Sequence, residues 1–355
     1  MPTFRSAEVT GIISARVGIQ RVEVLMGDGT SARAYALTEL VGDCAVGDRV
    51  VLNTTAVELG LGTGGWHVVH WNTAREELIR PGPEHVMKLR YTSLQADVGT
   101  SELLHAACDQ PLGGAPVVTC TVHSQVPLVA LGIAARRPGT RVGYVMTDGA
   151  SLPMALSDTV PALLERGLLA GTVTAGHAFG GGLEAVNVPS ALGLAVHVLA
   201  AEIVVVAMGP GVVGTGTSLG TTAIEAVDVL DATVASGGTP ILCVRASSGD
   251  GRERHRGISH HVRTVTSRST AAPFVAGIDE ETSRLHGVRP RSVGEVPDPG
   301  RMLADAGMRV TTMGRDVTED PSFFRHGVAA GLLAVDVLGV GPLGPGPSAP
   351  DAPVE

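Results

Sequence analysis

From about residue 115 the chain repeats one unit: a short apolar run, a loop rich in Gly, Ser, Thr, His, Asp or Arg, then a helical stretch. Apolar runs at Val117–Val122, Val142–Met146, Thr172–Ala175, Ile203–Met208, Ile241–Val244 and Arg309–Thr312 read as strands. Helices are expected over Leu128–Ala135, Asp158–Arg166 with Ser157 as cap, Pro189–Ala200 after Asn187, Ser218–Ala235 and Ser322–Leu338. Strands alternating with helices of this length predict a mainly parallel sheet with right-handed crossovers, sandwiched by helices in a Rossmann-like α/β domain over residues 115–340. Aromatics make up 3% of the chain, so its core must come from Val, Ala, Leu and Ile, which suits strands buried on both faces.

The first 78 residues have another texture. EVTGIISARV, QRVEVLM, ARAYALTEL, GDRVVLN and WHVVHW are short β-rich runs separated by turn signals such as GDG and GTGG, and no long helical period interrupts them. A small β-barrel-like module is expected over residues 1–78, a linker and interdomain segment over 79–114, and a disordered Pro/Gly-rich tail over 341–355.

Composition excludes several functions. A net charge of −9 and the lack of aromatic residues among Arg252, Arg254, Arg256, Arg263 and Arg268 argue against nucleic acid and favour a small anionic ligand, or simply a solvated basic face. The longest apolar region, Ala191–Val213, is broken by His197, Glu202 and a GPG turn, so no membrane span is expected. MPTFRSAEVTG lacks the pattern of a secretory signal, and Cys44, Cys108, Cys120 and Cys243 lack metal-site spacing, so a cytoplasmic protein is expected. Oligomerisation with copies of itself is left open.

Because loops leaving the carboxyl ends of parallel strands converge, candidate chemistry is sought there. Gly209, Gly211 and Gly214 formally satisfy G-x-G-x-x-G after a strand, and Thr215, Gly216 and Thr217 extend the loop with hydroxyls and another glycine. Phosphate or other anion binding, a nicotinamide dinucleotide and a purely structural turn all remain open readings. In HAFGGGLEAVN, His177, Glu184 and Asn187 share one crossover, either as acid–base chemistry or as helix caps. His123 and Asp148 hold the equivalent places after the first two strands. In RERHRGISHH a metal site is not expected, because adjacent His260 and His261 would point about 100° apart on a helix, leaving at most one to share a face with His255. Lys88 is the only lysine beside 25 arginines; it reads as a reactive ammonium, an anion ligand or a residual surface group.

The blocks LNTTAVELGLGTGG, HVMKLRYTSLQ, YVMTDGASLPMALS, GHAFGGGLEAVN, MGPGVVGTGT and RERHRGISHH, in this order over about residues 45–270, resemble the signature blocks of an uncharacterised bacterial family with a domain of unknown function. The resemblance implies that these blocks form a common site and carries no activity or cofactor with it. Ser151 and Met154 depart from the pattern in the third block.

The residues thus support an enzyme acting on a small anionic or phosphorylated metabolite. The Gly209–Thr217 loop, Arg252 and Arg256 would hold the anion; His177 and His260 would move protons, with Asp148 or Glu184 orienting an imidazole. A ligand-sensing or scaffold protein without turnover and a nicotinamide-dependent oxidoreductase are the alternatives.

Overall fold

The computed structural model describes residues 2–62, 64–83 and 85–338, so the predicted tail at 341–355 lies outside the described residues. The chain divides into two compact units between Gly99 and Thr100. The segment expected as a linker is therefore shared: residues 79–99 belong to the first unit and 100–114 to the second.

In the first unit, β1 (Phe4–Arg16), β2 (Ile19–Met26), β3 (Ser31–Ala36), β4 (Arg49–Asn53) and β5 (Trp66–Asn72) form a closed barrel in the order β1-β2-β3-β5-β4. Closure depends on β1, which pairs with β4 at one end and β2 at the other. Register shifts between Val9 and Gly11 and between Ile12 and Ser14 bend it. Alternate residues such as Val22, Val24, Ala34, Ala36, Val50 and Leu52 fill the interior. The Gly-rich connection from β4 to β5 includes a helical turn, Thr55–Glu58. Lys88 lies in a two-residue ladder of this unit and is buried, so it is not a surface lysine.

The second unit is the expected sandwich. Its strands are β6 (Pro116–Cys120), β7 (Val142–Thr147), β8 (Gly171–Thr174), β9 (Leu183–Glu184), β10 (Ile203–Met208), β11 (Thr239–Cys243), β12 (Phe274–Ala276) and β13 (Arg289–Arg291). They form one parallel sheet in the order β9-β8-β7-β10-β6-β11-β12-β13. Every residue of β6, β7 and β10 is buried, as a sheet covered on both faces requires.

One face carries α1 (Val126–Arg136), α2 (Thr159–Glu165), α6 (Pro299–Asp305) and α7 (Pro321–Asp336); the other carries α3 (Val188–His197), α4 (Ala226–Ala235) and α5 (His260–Arg268). Helix starts follow local chemistry. Asn187 accepts from the Ser190 amide with Pro189 in the first turn of α3, and the Ser157 hydroxyl accepts from the Val160 amide at α2.

Several elements differ from expectation. Arg309–Thr312 is not a strand: Val310 packs into the core, while the backbone makes an isolated bridge from Thr312 to Arg315. The helix expected from Ser218 begins as a 3₁₀ turn at Thr222–Glu225 and becomes α-helical at Ala226. Strands β9, β12 and β13 were not anticipated, being two or three residues long. Among the described residues no helix is long and apolar enough to cross a membrane.

Candidate functional site

β10 enters the sheet between β7 and β6, so the chain leaves β6 for β7 on one side while β10 leaves for β11 on the other. Opposed crossovers from neighbouring strands open a crevice at their carboxyl ends. The long loops that follow β10 and β11 meet here. A cavity of about 40 Å³ is lined by Val212, Val213, Gly214 and Gly216 from the first loop, Arg245, Arg252, Arg254, His255 and His261 from the second or the helix it enters, and Met313.

The Gly209–Thr221 loop is folded on itself. Gly214 bridges Thr221, the Thr215 amide donates to the Gly220 carbonyl at 2.7 Å, and the Thr222 amide donates to the Val213 carbonyl at 2.9 Å. The Thr215 and Thr217 hydroxyls lie 3.0 Å apart, and Thr217 Oγ1 accepts from the Gly220 amide, so they hold the loop tip together. The dinucleotide fingerprint needs its glycines at the start of a helix. Here α4 starts twelve residues beyond Gly214, after the hairpin and the 3₁₀ turn. Gly216 has φ +87° and faces the Arg254 guanidinium, while a side chain on Gly214 would come within 3.5 Å of the His261 ring.

The second loop is built on buried ions. Asp320, at the start of α7, accepts from Ser247 Oγ at 2.6 Å, the Ser248 amide at 2.8 Å and Arg315 Nε at 3.1 Å. Asp250 accepts from Arg252 Nε and Nη2 at 2.9 and 2.8 Å and from Arg315 Nη2 at 3.2 Å. The Arg252 hydrogen bonds hold the Asp250 carboxyl well below the usual range. Burial would raise Asp320, but its bonds from Ser247, Ser248, Arg315 and Gly249 outweigh that and keep it low. Arg245 is buried, and burial together with the charge of Arg252 lowers its guanidinium to about 10.

Three imidazoles converge on this loop. His255 ends a 3₁₀ turn, and His260 and His261 open α5, capped by Ser259, whose hydroxyl accepts from the His261 amide. One ligand atom from each of the three rings lies within 4.8 Å of the others, and the ring centroids are 4.2–5.0 Å apart. This corrects the expectation that His260 and His261 diverge. His255 lies ahead of the helix end, where the rings of two successive first-turn residues both reach it, each with its centroid 5.0 Å away. Gly257, at φ +61°, makes the reversal that places His255 there. Burial, then the charges of Arg245 and Arg252, lowers His255 to about 4; burial, then His260 and Arg245, lowers His261 to about 3; burial and Arg254 lower His260. All three are shifted toward the neutral form, in which each ring keeps a lone pair on one nitrogen.

The other predicted residues lie elsewhere. The Asp148 carboxylate accepts from the His177 amide at 2.8 Å, so this contact fixes a backbone turn and not an imidazole. Glu184 accepts from Thr174 Oγ1 and the Gly180 amide, both at 2.7 Å, and Asn187 caps α3. His177 follows β8, four strand positions from β11, so the strand ends supplying His177 and His260 stand about 19 Å apart. His123 sits between Tyr144 Oη at 3.2 Å and Ser157 Oγ at 2.7 Å; burial lowers it to about 4. β10 separates it from the Asp148 loop, so the three strand ends are not consecutive. Arg256 donates to the Asp250 carbonyl at 3.1 Å and does not line the cavity, whereas Arg252 does. Arg245 was not singled out, and Arg254, His255 and His261 were weighed in the sequence without being placed among the expected site residues, although the density of Arg and His in RASSGDGRERHRGISHH marked their loop.

Glu225 was also missed. Burial raises its carboxyl to about 7, with Asp148 adding repulsion and a 2.5 Å hydrogen bond from Thr147 opposing it. Its folded-state value exceeds the unfolded one, so the neutral form's stabilisation is full below about pH 4.5 and is lost as pH rises through about 7. Glu225→Gln should therefore gain stability over the wild type by about 2 kcal/mol above pH 7.5, after discounting for partial exposure, and little at pH 4.5. Denaturation midpoints across this range check it; a difference independent of pH would contradict it.

A family model described as protein of unknown function (DUF3866) matches residues 33–331, taking in the whole of this site. No curated protein and no solved structure matches the chain. The match covers most of the sequence, and the chain belongs to the DUF3866 family.

Proposed function

We propose that this protein is an enzyme that binds a small anionic metabolite, bearing a phosphate or carboxylate, between the loops that follow β10 and β11. One observation carries the reading: Arg245, Arg252 and Arg254 line the same small cavity as Gly214 and Gly216 and two of the neutral imidazoles. Three guanidiniums beside one pocket attract an anion, and guanidinium forks suit its paired oxygens. Arg252 is partly neutralised by Asp250, which leaves Arg254 as the most adaptable anchor. A volume of about 40 Å³ accepts an anionic headgroup and leaves the remainder of a metabolite outside. It is too small to enclose a dinucleotide, and the self-folded glycine loop gives the nicotinamide reading no support. Four buried free cysteines suit a reducing cytoplasm.

The test is a thermal-shift and calorimetric screen of inorganic phosphate, phosphosugars and small carboxylates against the wild type and Arg254→Ala. Since Arg254 is exposed, the variant should melt with the wild type when no ligand is present. It should bind the best ligand about 10-fold more weakly, the equivalent of about 1.4 kcal/mol. Equal binding by the variant would remove the cavity from the account. Saturable binding without conversion of any ligand tested would favour the sensor reading.

A further inference from the structure

We infer that His255, His260 and His261 form a binding site for one divalent transition-metal ion of the zinc class, with an open coordination position toward the arginine-lined cavity. This goes beyond the anion reading and does not depend on it.

Three imidazoles from two adjacent turns are a compact nitrogen donor set, which zinc, cobalt and nickel prefer and magnesium and calcium do not. Their ligand atoms lie within 4.8 Å of one another. A tetrahedral ion at about 2.0–2.1 Å from each nitrogen holds them about 3.4 Å apart, which modest side-chain rotations achieve.

The hydrogen bonding of the rings supplies a second, independent observation. Among the described residues His260 Nε2 and His261 Nδ1 are buried and have no hydrogen-bond partner, although buried polar atoms are normally satisfied. His255 Nδ1 lies 2.8 Å from Ser259 Oγ, an outer contact that fixes the ring and leaves Nε2 for coordination. His261 is 5% exposed and His255 2%, so the donors are held by packing.

The surrounding charge specifies the remaining ligand. Arg245, Arg252 and Arg254 oppose a bare dication, and so does the amino end of α5, a nine-residue helix. Asp250 and Asp320 offset part of this through Arg252 and Arg315. An anion at the open position offsets the rest. Metal and anion are therefore expected to strengthen each other's binding, by the same factor in both directions.

The experiment is a titration of chelator-treated full-length protein with Co²⁺ in phosphate-free buffer, repeated with inorganic phosphate. Expected are one Co²⁺ per chain, intense visible bands of low-coordinate cobalt, displacement by Zn²⁺ and tighter binding with phosphate. His261→Ala and the half-exposed His260→Gln should each weaken binding by about 100-fold or more, while exposed His286→Ala should not. Circular dichroism establishes that each variant is folded; should His261→Ala fail to fold, His260→Gln decides. Failure of the folded wild type to bind one equivalent, or unchanged binding in a folded His260→Gln, overturns the inference. Phosphate binding without Co²⁺ binding would leave the anion reading standing and remove the metal. Co²⁺ binding indifferent to phosphate would keep the metal and count against the anion reading.

Discussion

Gly331→Ala is expected to destabilise the larger unit by about 3 kcal/mol, although the same change inside an exposed helix stabilises by about 1 kcal/mol. The sign reverses because α1 and α7 cross at glycines. A methyl group on Gly331 would lie 2.2 Å from the Val129 carbonyl oxygen and 2.9 Å from Gly132 Cα; one on Gly132 would lie 2.2 Å from the Val328 carbonyl oxygen. Those obstacles are backbone atoms, so the helices must separate. Separation opens gaps around Phe323, Phe324, Val328 and Leu332, which join α7 to the central strands. Gly27→Ala, with open space at that position, is the control and should change stability by less than about 0.5 kcal/mol. Urea denaturation followed by far-ultraviolet circular dichroism makes the comparison. A Gly331→Ala protein as stable as the wild type would mean that the two helices do not approach as described.

The second large effect concerns the ions beneath the site. Asp320→Ala should cost about 3–5 kcal/mol, because Asp320 is fully buried and its removal leaves Arg315 short of a partner and the Ser247–Gly249 turn without its acceptor. Replacing both partners should be milder: Asp320→Ala with Arg315→Met should recover at least about half of the loss, since no buried charge is then stranded and Asp250 keeps Arg252. Denaturation midpoints of the two single variants and the double variant form the cycle. Strictly additive losses would mean that Arg315 and Asp320 do not act as a pair. The loss should also reach the site, because Ser247 is paired in a short ladder with Gly257, two residues after His255.

The legible and illegible parts of this molecule divide by range. Val142–Thr147 and Ile203–Met208 announce themselves as strands because a sheet covered on both faces demands unbroken apolar runs. Phe274–Ala276 and Arg289–Arg291 do not, being three residues long and flanked or interrupted by proline. Arg309–Thr312 has β-branched residues yet serves as core cover, since such residues favour packing surfaces as much as pairing. Strand order is non-local, and nothing in the sequence says that β10 inserts between β7 and β6. That insertion separates His123 from Asp148 and His177, and brings the β10 and β11 loops to one crevice. The histidine trio was obscured by a local approximation: ideal helix directions apply to a helix interior, whereas His260 and His261 open the helix and both reach a residue that precedes it.

The central claim, that the crevice beyond β10 and β11 receives an anion, is tested most directly by a crystal structure of the protein grown with tungstate, a heavy analogue of phosphate located by its anomalous signal. The account predicts a peak within hydrogen-bond reach of the Arg245, Arg252 or Arg254 guanidinium groups and beside Gly214 and Gly216. Tungstate bound at other basic positions while this cavity stays free of it, at concentrations that saturate binding in solution, would contradict the account.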